Sequence, residues 1–167
     1  MPSFSLEPLG LGAVHWAVVR GTESDIRGWV TAAQSSEKTL IVVNAARVAG
    51  VYLLASLYLS AQQNIATKAT RCKSEAAEWV FLLSSETQVG RSFVELAPIP
   101  SSPVLLATPD LRTLPNFFDT QQLTEAEWST CVDTERLERA QDIGTEECRL
   151  TAGLEGALIS RGASKNL

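Results

Sequence analysis

The feature that most constrains this chain is the run at residues 46–62, which is apolar almost all round. Its apolar residues recur at helical spacing on one broad face: Val48, Val51, Leu54, Ala55, Tyr58 and Leu59. Leu53 and Leu57 widen that face further. A helix with so little polar surface lies in the centre of its domain or at an interface. Its longest apolar stretch, 48–61, is shorter than the about 20 residues that cross a bilayer, so we expect a buried helix and no membrane partner.

Three short apolar runs predict the strands of a small sheet: residues 13–19, 40–43 and 104–107. Three prolines forbid helix before the third run: Pro98, Pro100 and Pro103. Helical patterns cover residues 22–33, 46–62, 74–83, 89–96, 124–128, 133–140 and a final helix that ends at Gly162. Because helices outnumber strands, we expect an α+β fold, with a three- to four-stranded mixed sheet covered by several helices. The length favours a single domain over residues 1–167, with a short flexible tail at 163–167.

Charge is unevenly distributed along the chain, although the formal net charge is only −5. No Asp or Glu lies within residues 39–73, where four basic residues fall: Arg47, Lys68, Arg71 and Lys73. The negative total argues against a surface devoted wholly to nucleic acid. A local basic patch remains compatible with it, and the gradient suggests two surfaces with different partners.

The segment 67–96 places basic residues before two short predicted helices that are interrupted at Ser84 and Ser85. The first N–H groups of a helix lack partners inside the helix, so a helix start beside basic residues favours an anionic ligand. Glu75 and Glu78, one turn apart, could act as acid and base or hold magnesium. Carboxylates in a first helical turn more often stabilise the helix start.

Catalytic signatures are few in this sequence. His15, the single histidine, lies inside a predicted strand, where a structural role is more common than catalysis. No glycine-rich phosphate loop occurs, and we expect no cofactor and no metal. The three cysteines lack metal-binding spacing and indicate reduced thiols in a cytoplasmic or nuclear protein: Cys72, Cys131 and Cys148. Cys72, between two basic residues, could have a lowered pKa and act as a nucleophile.

The final predicted helix carries an apolar stripe and two small residues: Leu150, Leu154, Leu158, Ile159, Gly153 and Gly156. A helix near a chain terminus frays unless something holds it. The stripe therefore packs either on the core of its own chain or on a partner, and the sequence leaves both open.

Residues 78–93 (EWVFLLSSETQVGRSF) resemble the pattern E-(apolar)5-S-G-x-R-Q-I-x-x-A-(apolar). That pattern belongs to the PRPK-binding protein family, the small kinase-binding subunit of the KEOPS (EKC) complex. The strand at 40–44 with the apolar helix after it is similar to the family's strand-then-helix segment, and residues 133–162 are similar to its ending. Three family positions differ here: Ser85 stands for glycine, Thr87 for arginine and Ser92 for alanine.

The resemblance implies a non-catalytic subunit that binds the small atypical kinase/ATPase of the complex. It also implies a role in presenting tRNA to the threonylcarbamoyl transferase subunit during threonylcarbamoyladenosine (t6A) formation. The tRNA 3′ CCA end would then contact Lys68, Arg71, Lys73, Gln88, Val89 and Arg91. The kinase would contact the last helix and the tail through Leu150, Leu154, Ala157, Leu158, Arg161 and Leu167.

Two other hypotheses remain open from the residues alone. The first is a small thiol-dependent enzyme that uses Cys72, because that cysteine has basic neighbours in sequence. The second is a homo-oligomeric scaffold, in which the apolar last helix associates with a second copy of itself.

Overall fold

A computed structural model of the chain describes residues 3–5, 13–114, 120–141 and 154–164. The residues form two compact units, each assembled from two separate stretches of chain. The sheet unit comprises Met1–Ala46 and Ala97–Cys131, and the helical unit comprises Arg47–Leu96 and Val132–Leu167. The single-domain expectation stays a prediction.

The described residues of the sheet unit form five strands: β1 (Ser3–Ser5), β2 (Ala13–Arg20), β3 (Ile41–Asn44), β4 (Val104–Thr108) and β5 (Gln121–Leu123). The strand order is β1-β2-β4-β3, and β5 also pairs with β2. β4 pairs with one edge of β2. β1 and β5 pair with opposite ends of the other edge of β2, so they share one position in the sheet. The sheet is therefore four strands wide.

The α+β fold class is confirmed, and β2, β3 and β4 coincide within a residue or two with the three predicted strands. The expected mixed sheet is corrected by the pairing, because every pair among the described strands is antiparallel. The physical reason is the position of β4. β2 and β3 run parallel to each other, but β4 lies between them and is antiparallel to both.

Both faces of β2 are covered, which explains its nearly continuous apolar sequence. On one face, Ile26 and Trp29 of helix α1 (Glu23–Ser35) pack with residues of β2 and β4. On the other face, the ring of Trp16 lies 5.2 Å from that of Trp128. A Cβ at Gly21 would come within 2.5 Å of the Trp29 ring, so the turn into α1 requires glycine.

The remaining helices are α2 (Val51–Ala66), α3 (Glu75–Leu83), α4 (Val89–Glu95), α5 (Glu125–Cys131), α6 (Thr134–Gln141) and α7 (Leu154–Ser164). Short 3-10 turns occur at Ala45–Arg47 and Leu111–Thr113. No helix within the described residues is both long and apolar enough to cross a membrane.

Helix α2 begins later than its apolar pattern predicts, at Val51 instead of residue 46. The backbone of residues 45–46 is already used elsewhere. The N–H of Ala45 donates to Pro103 O, and Ala45 O accepts the indole N–H of Trp128 at 2.9 Å. The N–H of Ala46 donates to the Asn44 side chain at 3.0 Å. These bonds divert the chain into a 3-10 turn before α2 can begin.

Helix α7 continues past Gly162 to Ser164, so the predicted end at Gly162 and the tail beginning at residue 163 are wrong. Glycine disfavours a helix interior by only about 1 kcal/mol relative to alanine, and one such residue does not end a helix. Residues 165–167 lie outside the described part of the chain.

In the helical unit, α2 and α3 form an antiparallel hairpin around Trp79. The indole N–H of Trp79 donates to Leu54 O at 2.9 Å, and its ring lies 4.7 Å from the ring of Tyr58. Both rings are buried, and α7 packs against α2 in the same unit. This hairpin positions the segment that carries the predicted binding residues.

Candidate nucleic-acid interface

Helix α2 ends in a complete Schellman motif. The N–H of Lys68 donates to Ile65 O at 3.1 Å, and the N–H of Ala69 donates to Asn64 O at 2.8 Å. Lys68 has a φ of 60°, the left-handed conformation that glycine usually provides at this position. The chain thus places an exposed lysine where helix termination favours glycine.

Arg71 is anchored to α3 at both its backbone and its side chain. Its N–H donates to the Glu78 carboxylate at 3.3 Å. Its guanidinium carbon lies 5.9 Å from the centre of the Phe81 ring, within cation–π range. Since Phe81 is in the last turn of α3, the Arg71 side chain extends along that helix and has a defined direction.

Lys73 precedes Ser74, the N-cap of α3, whose hydroxyl accepts the N–H of Ala77 at 3.2 Å. The side chains of Lys68, Arg71 and Lys73 are all exposed. None of the three takes part in an ion pair within the described residues. We call the connection that they occupy, residues 68–74, the basic loop.

Cys72 lies in the basic loop, but its environment is the opposite of the one predicted. Burial raises the pKa of the thiol to about 12, and a hydrogen bond to Glu78 and the charge of that carboxylate add to the rise. The basic neighbours in sequence do not offset these effects, because their side chains point to solvent. The expectation of a lowered pKa at Cys72 is therefore wrong, and the proposed thiol nucleophile loses its physical basis.

The break between α3 and α4 is fixed by serines. The N–H and the hydroxyl of Ser85 both donate to the Glu95 carboxylate, at 2.8 and 2.5 Å. The hydroxyl of Ser84 lies 2.7 Å from that of Ser92, and both are buried. Two positions at which the chain departs from the family pattern thus hold hydrogen bonds across the corner between the two helices.

The predicted site residues at the start of α4 make fewer side-chain contacts than those of the basic loop. Gln88 is the N-cap of this seven-residue helix and makes no side-chain capping hydrogen bond. Gln88 and Arg91 are exposed, and Val89 is half-buried. The backbone of Gln88 is engaged, because its carbonyl accepts the N–H groups of Arg91 and Ser92.

The six predicted RNA-binding residues form two groups, one on each side of α3. Lys68, Arg71 and Lys73 precede α3, whereas Gln88, Val89 and Arg91 follow it. A helix of this length rises about 13 Å along its axis, so α3 separates the two groups. Arg71 reaches across part of this distance, because its guanidinium covers the ring of Phe81 near the far end of α3.

Two apolar side chains on α4 were not predicted as part of the site. Phe93 and Val94 are 47% and 78% exposed and lie on the same short helix as Arg91. The sequence pattern alone did not single them out, because it does not show that Ser92 is the buried residue of this short helix. Phe93 follows Val89 by four residues and Val94 follows Arg91 by three, so each pair shares a face of α4. Apolar or aromatic groups together with cations are typical of surfaces that bind single-stranded nucleic acid.

The residues predicted to face a kinase divide into three groups. Ala157 and Leu158 are buried within the helical unit, where α7 packs on α2, α3 and α6. They hold α7 in place, which corrects the expectation that they contact a partner directly and removes the apolar basis for self-association at these positions. Arg161 is half-exposed. Leu150, Leu167 and the side chain of Leu154 lie outside the described residues.

Other potential chemistry is sparse in the described residues. His15 lies within β2, opposite Thr108 of β4. Within the described ranges, no three His, Cys, Asp or Glu side chains converge as a metal-binding group.

The chain matches no protein-family model, and a search of curated proteins finds no match.

Proposed function

We propose that this protein is a non-catalytic accessory subunit with two binding surfaces. One binds the small atypical kinase/ATPase of the KEOPS complex, and the other binds the 3′ CCA end of tRNA. In this role the subunit helps deliver tRNA to the threonylcarbamoyl transferase for t6A formation, in the cytoplasm and the nucleus. The resemblance of residues 78–93 to the PRPK-binding protein family motivates the proposal.

The observation that carries the RNA-binding part is the basic loop. Its three cations are exposed and lack carboxylate partners within the described residues, on a protein whose net charge is −5. Exposed lysine and arginine on globular proteins commonly pair with nearby acids, as Arg27 does with Glu23 here. Cations left unpaired in a segment without acids are available to phosphates.

Single-stranded RNA suits this surface better than duplex RNA. Proteins bind single-stranded ends through cations on the backbone together with apolar or aromatic groups under the bases. The basic loop provides the cations, and Val89, Phe93 and Val94 provide exposed or half-exposed apolar surface on α4. A flexible 3′ end can follow α3 from one group to the other.

The RNA-binding part is tested by Lys68→Glu combined with Arg71→Glu. Each lost phosphate contact lowers the slope of log K against log salt by about 0.7 for a single strand, so the double variant should lose about 1.4. Affinity for tRNA should fall at every salt concentration. Filter binding or fluorescence anisotropy across a salt series measures both quantities.

The matched control is Arg27→Glu combined with Arg139→Glu, which makes the same change in net charge. Both control residues are exposed and already paired with a carboxylate one turn away. We expect tRNA binding close to wild type for this variant. Equal losses in the two double variants, or no loss in either, would overturn the assignment of the basic loop to tRNA.

The kinase part is tested by co-purification. A tagged full-length chain expressed in its native cells should retain a small atypical kinase, identified by mass spectrometry. The Lys68→Glu, Arg71→Glu variant should retain the same kinase, because the basic loop is assigned to RNA. Recovery of no such kinase with a folded protein, checked by circular dichroism, would rule out the accessory-subunit proposal while leaving RNA binding to stand on its own test.

A further inference from the structure

Glu78 is buried completely, and within the described residues it is the one charged side chain of which this is true. A carboxylate removed from water requires hydrogen-bond donors in compensation. The Cys72 thiol bonds to it, and three further donors reach it. The side-chain amide of Asn64 donates to Oε1 at 2.8 Å, and the hydroxyl of Thr70 donates to Oε2 at 2.7 Å. The backbone N–H of Arg71 also donates to Oε2, at 3.3 Å.

All three donors belong to the basic loop or to the helix end that leads into it. Asn64 also accepts the N–H of Ala69 at its carbonyl, in the motif that ends α2. Thr70 continues the arrangement, because its hydroxyl oxygen accepts the N–H of Cys72 at 3.0 Å. The carboxylate therefore connects, directly or through one residue, to residues 64 and 69–72.

The position of Glu78 in α3 explains this reach. Side chains of a helix lean toward its N-terminus, so a residue one turn inside the helix covers the segment that precedes it. Glu78 lies one turn after the N-cap Ser74. Its carboxylate consequently faces the basic loop, while α2 closes the other side through Asn64.

We propose that Glu78 is the positioning residue of the RNA surface: its buried carboxylate holds the basic loop in the conformation that presents Lys68, Arg71 and Lys73 to the phosphates of a single-stranded RNA end. Glu78 does not touch the RNA. Its carboxylate supports the binding of a polyanion indirectly, because it holds the loop that carries the three cations. The proposal rests on the RNA-binding part of the proposed function.

Two contacts of Arg71 with α3, one hydrogen bond and one ring contact, support the proposal most directly. Glu78 holds the backbone of Arg71, and the ring of Phe81 lies under its guanidinium. With both ends held on α3, the cation loses little conformational freedom on binding a phosphate, which favours affinity. The raised pKa of the Cys72 thiol, caused first by burial and then by Glu78, agrees with this geometry.

The test uses Glu78→Gln and Thr70→Val in the full chain. In Glu78→Gln, the remaining oxygen can still accept from Thr70 and Arg71, but these bonds lose the assistance of a negative charge, and the new amide N–H groups face the donating amide of Asn64. Thr70→Val removes the hydroxyl between Glu78 and Cys72 with little change in shape. Thr67→Val is the control, since the Thr67 hydroxyl bonds only to carbonyls of α2.

The probe is a 5′-labelled single-stranded RNA oligonucleotide ending in CCA, titrated by anisotropy over a salt series at a temperature where circular dichroism shows each variant folded. We expect affinity to fall about tenfold in Glu78→Gln and less in Thr70→Val. The salt slope should become shallower by about 0.7, one phosphate contact. Thr67→Val should match wild type. A role limited to stability would lower the melting temperature and leave the salt slope unchanged.

Three outcomes separate the alternatives. Wild-type binding with unchanged affinity and slope in Glu78→Gln and Thr70→Val overturns the positioning role and leaves RNA binding standing. Absence of RNA binding by wild type overturns both. If Glu78→Gln does not fold, Thr70→Val decides: a shallower slope supports the proposal and an unchanged slope overturns it.

Discussion

Lys68 adopts a backbone conformation that costs an L-amino acid roughly 1–2 kcal/mol relative to the right-handed region. The Schellman motif at the end of α2 requires that conformation, whichever residue occupies the position. The chain therefore accepts local strain in order to carry a cation at the first residue of the basic loop. Strain retained against an easy alternative is typical of functional positions.

Lys68→Gly should stabilise the protein and weaken RNA binding at the same time. Removing the Cβ relieves the left-handed strain, and the added freedom of glycine in the unfolded chain offsets part of the gain, so the free energy of unfolding should rise by about 0.5–1 kcal/mol. Urea denaturation at constant m-value measures the change. Lys73→Gly, which removes a cation without relieving a positive φ, should not stabilise; equal gains from both variants would contradict the account.

Cys72 should react slowly with alkylating reagents despite its basic neighbours. With a pKa of about 12 it is almost entirely protonated at pH 8, whereas an unperturbed cysteine is about one quarter thiolate. We expect the iodoacetamide rate for Cys72 in the native protein to be at least about 100-fold below the rate in urea, read by peptide mass spectrometry. A native rate close to the denatured one would contradict the burial of this thiol beside Glu78.

The same thiol links stability to pH. The folded protein holds the Cys72 proton more tightly than the unfolded chain does, because burial and Glu78 raise the pKa of the thiol. The contribution is therefore complete below the unfolded pKa of about 8.5 and is lost as pH rises toward the folded value. Cys72→Ser should flatten the decline in stability above pH 8.5.

At the scale of elements, the α2–α3 hairpin depends on one tryptophan. Trp79 is fully buried and donates its indole N–H to Leu54 O, so the hairpin is held by a ring and a hydrogen bond together. The sheet unit has a counterpart: Trp128 is also buried and donates to Ala45 O at the same distance. The two residues form a matched pair, one in each unit.

Trp79→Phe should lower the free energy of unfolding by about 1–3 kcal/mol, through lost volume and a lost hydrogen bond, and Trp128→Phe by a similar amount. The location of the effect should differ. Amide exchange should accelerate in α2 and α3 for Trp79→Phe, and in β2 and α5 for Trp128→Phe. Faster exchange in β2 with protection of α2 retained in Trp79→Phe would be inconsistent with its role in the hairpin.

Much of this element structure follows from sequence pattern. The apolar runs of β2, β3 and β4 and the spacing of α3 and α4 are strong local signals, and their predicted bounds hold within a residue or two. β1 and β5 have three residues each and too little pattern to detect. The start of α2 depends on bonds from Pro103 and Trp128, which are distant in the chain, so no local pattern contains it.

The candidate site, too, was only partly predictable from the sequence. The exposure of Lys68, Arg71 and Lys73 could be expected from their charge. The environment of Cys72 could not, because Glu78 acts on it across a turn of helix and burial depends on the whole hairpin. The predicted length of α3 already implied that it separates the residues before it from those after it. The direction of the Arg71 side chain along that helix could be learned only from the three-dimensional structure.

At the scale of the whole molecule, basic charge without neighbouring acids in sequence is concentrated in one segment of an acidic protein. The net charge is −5, while residues 39–73 contain no acid. Electrostatic fields of exposed charges decay over about 8 Å at physiological salt, so the basic loop attracts only phosphates that come close to it. A single strand can place its phosphates there, whereas a duplex brings more negative charge toward a protein whose own net charge is −5.

Preference for a single-stranded end should therefore be pronounced. A single-stranded RNA oligonucleotide ending in CCA should bind at least about tenfold more tightly than the same strand annealed to its complement in a blunt duplex, at 150 mM salt. Competition anisotropy measures the ratio. Equal affinity for the two would indicate that bulk charge attraction, and not the local surface, governs binding.

The position of β4 has a consequence for how this protein is made. β4 completes the sheet between β2 and β3, yet the chain reaches it only after all of α2, α3 and α4. At about 5–20 residues per second, the roughly 60 residues between β3 and β4 take a ribosome about 3–12 s to translate. Throughout that interval the nascent chain carries two apolar strands with unpaired edges, the kind of surface that chaperones cover.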